Sequence, residues 1–344
     1  MHSYWNDQPM SGDIGRGGAI NIEKNVKTEP FELPDGFIWC DFDINTIYDF
    51  INNHYIRDDT FNLSYDIEMI KWYLEPPSHH SICIAEKETG QIVGHISSVP
   101  VTMKINEDMV KMVQINFLCV HPKYRSHGFA PLLISEIKRI ANTEDIWQAI
   151  FTAVTTIPTP ITKANYWHRF LNIQNLVKSG FHTTTRVREK YYDLKVTNSS
   201  FRKMTVRDIP KVTKILQKQF NTFKIAPVIN KDWVKKWILP LYSYVNDETD
   251  DFISFYSVQY ERNDGTYTVK QAYGHYTVGD VYSDAFIIAK NLGFDVFNIL
   301  DVGEDTSKLE ELKFMKGTGS VNYYLFNWCL SDHVSTKDIM FKLP

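Results

Sequence analysis

The stretch from Met112 to Ala141 constrains this chain more than any other, because it passes from a buried strand through a polar turn into a helix start. Met112 to Val120 is continuous in apolar and β-prone residues, whereas His121 to His127 is polar, basic and broken by Pro122. Gly128 then permits a tight backbone approach. Ala130-Pro131 opens the run Leu132, Leu133, Ile134, Ile137, Ile140, and proline is tolerated in a first turn, so the spacing predicts a helix from Pro131 to Ala141. Such an order leaves amide N–H groups pointing outward, and these together with the helix dipole favour phosphate. Arg125 and Ser126 add side-chain donors. The same residues would also serve as a plain turn.

The rest of the chain bounds the possibilities. A length of 344 residues with 43% hydrophobic content is enough for a sizeable core, arranged as two domains or one large duplicated one. A formal net charge of -4 argues against a dedicated nucleic-acid surface and fits small anionic ligands met by local patches such as Lys123 to His127. Cys40, Cys83, Cys119 and Cys329 are scattered, which suggests neither a zinc ribbon nor a disulfide scaffold; reduced thiols in a cytoplasmic, metal-free protein are expected. Met1 to Gly12 lacks a signal-peptide core, no apolar run approaches the roughly 18 residues of a membrane span, and Met1-His2 is not a myristoylation start.

Taken in order, Met1 to Thr28 reads as an extended arm, with glycines at 12, 15, 17 and 18 and two large anchors, Tyr4 and Trp5. Helices are expected at Asp43 to Tyr55 and Asp66 to Leu74, then strands at Ser81 to Ala85, Gln91 to Val101 and Met112 to Val120, then the helix after Pro131 and a strand at Gln148 to Thr152. A similar order follows Thr205. Helices run to Phe220 and from Asp232 to Leu239, strands cover Phe252 to Gln259 and Thr268 to Tyr276, a helix Val281 to Asn291, and strands Asp295 to Leu300 and Val321 to Phe326. Two local echoes point to duplication: Lys71-Trp72-Tyr73-Leu74 with Lys236-Trp237-Ile238-Leu239, and Gly94-His95 with Gly274-His275.

Ile115-Asn116-Phe117-Leu118-Cys119-Val120-His121 is similar to the strongest signature of the N-myristoyltransferases, and Arg125-x-x-Gly128-x-Ala130 resembles the pyrophosphate turn of GNAT-like acyl-CoA transferases. The resemblance extends from Tyr4-Trp5-Asn6-Asp7-Gln8-Pro9 through Leu33-Pro34-Asp35-Gly36-Phe37 and Tyr166-Trp167-His168-Arg169 to Gly293-Phe294-Asp295-Val296-Phe297-Asn298 and Tyr323-Tyr324-Leu325. It implies an α/β (α+β) fold of two fused GNAT-like halves, with pseudo-twofold symmetry around a continuous saddle-shaped mixed sheet. Residues 1–28 would be an arm contacting acyl-CoA, 29–190 a half binding myristoyl-CoA, and 191–344 a half binding peptide and returning its C-terminus to the active site.

The implied reaction moves myristate from myristoyl-CoA to the α-amino group of an N-terminal glycine, on peptides and nascent proteins, in a monomeric enzyme. The resemblance makes the backbone N–H groups of Phe117 and Leu118 the oxyanion hole, donors worth roughly 2.7–4 kcal/mol each where measured. It assigns the base to the terminal carboxylate of Pro344, with Asn116 and Thr152 positioning the amine. Acyl-CoA would be held by Ser3, Tyr4 and Trp5, by Phe117, Leu118, Cys119 and Val120, and by Arg125, Ser126, His127, Gly128, Phe129 and Ala130. Peptide would meet Tyr55, Asp58, Asp59 and Phe61, then Tyr166, His168 and Phe181, and Tyr273, Gly274 and Leu343. Direct amine attack leaves Cys119 without a nucleophilic role.

The chain departs from that pattern in places. Gln114 stands where Glu is usual, Pro122 and His127-Gly128 replace more basic residues, Gly274 replaces a common serine, and Thr318 replaces an Asp of the glycine-rich second signature at 313–319. CoA affinity and peptide preference are the features these changes touch. Two other readings fit the sequence: a different GNAT-like N-acyltransferase, and a binding protein for acyl-CoA or acylated peptides with weak catalysis.

Overall fold

The structure is a computed structural model and describes residues 3–11, 14–40, 43–56, 60–75, 80–182, 189–192, 194 and 200–343. In the first half the strands are β1 (Phe37–Cys40), β2 (Phe61–Ser64), β3 (His80–Glu86), β4 (Ile92–Ile105), β5 (Asp108–Val120), β6 (Gln148–Ala153) and β7 (Thr162–Phe170). Helices α1 (Ile44–His54), α2 (Ile67–Leu74), α3 (Phe129–Thr143) and α4 (Ile173–Lys178) accompany them. The second half supplies β8 (Phe201–Lys203), β9 (Ile225–Pro227), β10 (Tyr242–Asn246), β11 (Phe252–Arg262), β12 (Thr268–Val278), β13 (Val296–Leu300) and β14 (Met315–Phe326), with α5 (Ile209–Phe220), α6 (Lys231–Trp237), α7 (Tyr282–Asn291) and α8 (Thr306–Glu311).

Local chemistry sets many of these boundaries. Asp43 caps α1 by accepting from the Asn45 amide and the Thr46 hydroxyl, and Ile47, Phe50 and Ile51 form its buried face. Thr205 does cap, as expected, but it closes a capping box with Asp208 around a short 3₁₀ turn that leads into α5. The turn after β5 also behaves as the sequence suggests: Ser126 and Gly128 have φ of 69° and 82°, and α3 begins two residues earlier than proline placement indicated.

Among the described residues the strands form one sheet, in the order β1-β3-β4-β5-β6-β14-β7-β13-β12-β11-β10-β8, with β2 added to β11 and β9 to β4. Its centre is an exchange: β14 lies between β6 and β7, and β7 lies between β14 and β13. Outward from there the two arms match strand for strand. Each contains one parallel pair, β5 with β6 and β12 with β13, and each pair is joined through a helix, α3 or α7, as parallel strands require.

The tryptophan echo marks equivalent places. Trp72 near the end of α2 and Trp237 at the end of α6 meet edge to face at 5.4 Å, and the Trp72 indole donates to the Lys236 carbonyl at 2.9 Å. The Gly-His echo does not. Gly94 and His95 are on β4, whose counterpart in the other arm is β11, whereas Gly274 and His275 are on β12. Strand β7 escaped the sequence pattern because its polar and aromatic residues show no strict alternation, being covered on one side by β13 and on the other by β14.

Candidate active site

The site begins with an irregularity in β5. Ser97 faces Asn116 and His95 faces Cys119, so Phe117 and Leu118 together oppose the single residue Ile96. Phe117 sits at φ 52°, a left-handed conformation that costs a non-glycine residue about 1–3 kcal/mol and persists only where its surroundings over-determine it. They do. The fully buried Phe117 ring is boxed by Tyr55, Tyr65 and Tyr73 at centroid distances of 5.5, 5.6 and 5.4 Å. Ser97 donates to the Asn116 carbonyl at 2.9 Å, and the Asn116 side-chain oxygen accepts from the Phe117 amide at 2.9 Å and the Tyr55 hydroxyl at 3.3 Å.

This bulge lies on the wall of a cavity of about 870 Å³, within the range of small-molecule sites. Part of the lining is aliphatic, from Ile115 of β5, Ile134, Ile137 and Ala141 of α3, and Ile146. Another part is aromatic, from Tyr65, Tyr166, Tyr256, Tyr260 and Tyr273. Asn116, Phe117, Leu118, Thr152, Tyr323 and Leu343 also line it. Trp5, in a 3₁₀ turn spanning Ser3–Asp7, stacks on Phe151 at 6.0 Å and completes the lining.

The arm that carries Trp5 is fixed to the second half. The Ser11 amide donates to Leu325, the Asn327 amide to Pro9, and the Gly15 amide to Leu330. A second extended segment reaches the cavity from the other end of the chain. Ile339 to Leu343 are all under 9% exposed; Met340 donates to the Ile225 carbonyl, and the Tyr323 hydroxyl donates to the Phe341 carbonyl at 2.8 Å. Lys342 is paired with Glu304 at 3.1 Å in a largely buried bridge.

The cavity lining includes one lysine, Lys138, whose ammonium burial disfavours. Among the described lining residues there is no Asp or Glu. Burial holds the Tyr55 hydroxyl up at about 12 and pushes the His168 imidazole below its ordinary range, an effect opposed in part by its bond to Asn298. That bond, 2.7 Å from His168 Nδ1 to Asn298 Oδ1, continues to Gln271. The Cys119 thiol is also buried and is pushed up to about 12, which removes the thiolate a nucleophile needs.

Comparison with known proteins gives this geometry its context. The family model described as Myristoyl-CoA:protein N-myristoyltransferase, N-terminal domain, matches residues 19–164, and its C-terminal partner matches residues 175–340. The chain belongs to the N-myristoyltransferase family. A glycylpeptide N-tetradecanoyltransferase of Arabidopsis thaliana is 36% identical, with 98% of this chain and 88% of that protein covered. The Plasmodium falciparum enzyme of the same name is 35% identical over 92% of this chain and 85% of its own. A Saccharomyces cerevisiae N-myristoyltransferase solved with bound myristoyl-CoA superposes with a TM-score of 0.90 at 29% identity, covering 97% of this chain and 90% of that one. A GCN5-related N-acetyltransferase from Anabaena variabilis, at TM-score 0.51 and 15% identity, shares the fold alone.

Of the residues expected at an N-myristoyltransferase site, the structure gathers Asn116, Phe117, Leu118, Thr152, Trp5, Tyr55, Tyr166, His168, Phe181, Tyr273 and Leu343 around one cavity. Others stand apart. Cys119 and Phe61 are buried in the core, Val120 ends β5 outside the lining, and Gly274 faces Phe297 on the other side of the sheet. Tyr4 packs its ring edge on Trp5 at 5.3 Å. Arg125, Ser126, His127 and Gly128 form the exposed turn before α3, where Arg125 donates to the carbonyls of Val120 and His54; Phe129 turns its ring inward and Ala130 follows it. Asp58, Asp59 and Pro344 lie outside the described residues.

Sequence reasoning missed Tyr65, just after β2, and Tyr256, Tyr260 and Gln271, on β11 and β12, where nothing marks the cavity-facing positions. The partial second signature has a clearer outcome. It is an irregular stretch of β14, between Lys316 and Ser320, that brings Thr318, Gly319 and Ser320 to the cavity. Gly317 passes so close to His168 that any side chain there would collide with the imidazole.

Proposed function

We propose that the protein is a glycylpeptide N-tetradecanoyltransferase that joins myristate from myristoyl-CoA to N-terminal glycines through the bulge at Phe117 and Leu118. The observation that carries this reading is the strained, over-determined bulge on a cavity lined by both aliphatic and aromatic side chains, in a chain of this family. The aliphatic part of the lining receives the acyl chain, at about 0.8 kcal/mol per buried CH₂, and the aromatic part receives the peptide. The exposed turn at Arg125 to Gly128, ahead of α3, takes the CoA phosphates.

In this mechanism the amine attacks the thioester carbonyl directly, the resulting oxyanion accepts from the Leu118 and Phe117 amides, and its collapse to the amide breaks the C–S bond and releases CoA as the free thiol. The Phe117 amide now donates to Asn116, so the Asn116 side chain turns toward the incoming amine as that donor is taken up. Nothing acidic in the described lining can receive the amine proton as a carboxylate would. The terminal carboxylate of Pro344, one residue beyond cavity-lining Leu343, is the base in this reading. The same reading includes a cytoplasmic monomer acting on nascent proteins, checked by light scattering and fractionation.

The deciding experiment incubates the protein with myristoyl-CoA and a glycine-starting peptide and follows free thiol and peptide mass together. Acylated peptide in step with thiol is expected. Hydrolysis of the thioester without acylated peptide, or equal use of acetyl-CoA, would overturn the reading.

A further inference from the structure

His95 is completely buried, charged residues do not contact it in any described bond, and the mechanism above makes no use of it. Its ring nevertheless makes two polar contacts. Nδ1 lies 2.9 Å from the Phe117 carbonyl oxygen, and Nε2 lies 2.6 Å from the Ser81 hydroxyl. A carbonyl only accepts, so Nδ1 carries the proton; in the neutral ring Nε2 then accepts from Ser81 O–H, and the tautomer is fixed from both ends. Burial pushes His95 down to about 4, which keeps the ring neutral near pH 7.

The bond falls on a particular peptide unit. The Phe117 carbonyl and the Leu118 N–H belong to the same trans peptide and point in opposite directions. Holding the oxygen against His95, on the β4 side of the bulge, therefore directs the Leu118 N–H away from β4, and Leu118 is a lining residue of the cavity. A hydrogen bond to the carbonyl also polarises the whole amide and strengthens its N–H as a donor. The tyrosines and Asn116 hold the Phe117 ring and its amide, but neither Phe117 nor Leu118 has a partner in the β4 register, so the His95 bond adds a hold at the carbonyl end of the peptide that carries the Leu118 N–H.

We infer that Ser81 and His95 are positioning residues of the acyl-transfer site, a buried relay that aims and polarises the Leu118 amide toward the oxyanion of the proposed reaction. This rests on the functional reading given above. His275, the other histidine of the Gly-His echo, shows that burial alone does not produce the arrangement: it is also buried, its Nδ1 has no partner, and it packs against Tyr276 at 4.1 Å.

The test is single-turnover transfer by the full chain, with myristoyl-CoA affinity measured separately by calorimetry, for His95→Phe, His95→Asn, Ser81→Ala and His275→Phe. Losing an oxyanion-hole donor outright costs about 10²–10³ in rate, so a misaimed one should cost about tenfold or more in His95→Phe with affinity within twofold. His95→Asn places an amide N–H near the Nδ1 position and should recover most of that loss. Ser81→Ala, a small change at a half-buried site, should lower the rate severalfold, and His275→Phe should leave it within twofold. An unchanged rate in His95→Phe, or a loss shared equally by rate and affinity that His95→Asn does not repair, would overturn the proposal. If the wild type binds myristoyl-CoA but transfers nothing, the functional reading fails first and the relay with it.

Discussion

Single residues at this site are set by burial more than by charge. Cys119 shows it: a thiol pushed up to about 12 in the core beneath the bulge has no nucleophilic role, so Cys119→Ala is expected to keep acyl transfer within about threefold. A stopped reaction, with folding intact by circular dichroism, would reverse that assignment. Two histidines carry the opposite sign of the same effect. Burial depresses His95 to about 4 and His275 to about 3, whereas the unfolded value is about 6.5. As pH falls below 6.5 the unfolded chain takes up protons that the native state refuses, so stability falls through that window and continues to fall until the folded values are reached. At pH 5 each contributes a loss of about 2 kcal/mol relative to pH 7. Urea midpoints measured at pH 7 and pH 5 should separate accordingly, and the separation should narrow in His275→Phe.

At the scale of elements, the two ends of the chain behave as parts of the site. The segment from Ile339 to Leu343 is held by backbone pairing to Ile225, by Tyr323 and by the Lys342–Glu304 bridge. Removing Leu343 and Pro344 while keeping that bridge should lower kcat about 10²–10⁴-fold with myristoyl-CoA affinity nearly intact, because a general base acts on the chemical step. Equal single-turnover rates in the truncated and full-length proteins would take the terminus out of the mechanism. The arm gives the converse expectation. Deleting Met1 to Asp7 removes Trp5 from the cavity wall, and Arg125→Ala removes a cation beside the proposed phosphate turn. Both should raise the Kd for myristoyl-CoA, the second with the greater dependence on salt. Titrations at two ionic strengths distinguish them.

For the whole molecule, the exchange of β7 and β14 at the sheet centre binds the halves into one cooperative unit. Urea unfolding followed by tryptophan fluorescence and by far-UV circular dichroism should give coincident single transitions, and a fragment ending at residue 190 should not fold, since β7 would lack both neighbours. Two separated transitions would show the halves to be independent. By itself the sequence determined the strand–turn–helix core of the first half, the order of its main helices and strands, and the family to which the bulge motif belongs. It could do so because apolar periodicity, glycine at positive φ and helix capping are local properties. Only the tertiary structure decided that β14 parts β6 from β7, that the arm docks on the second half, that Gly274 turns from the cavity and that His95 reaches the Phe117 carbonyl. Each depends on contacts between segments far apart in sequence, and β-strands with irregular burial carry no local mark of which neighbour they will meet.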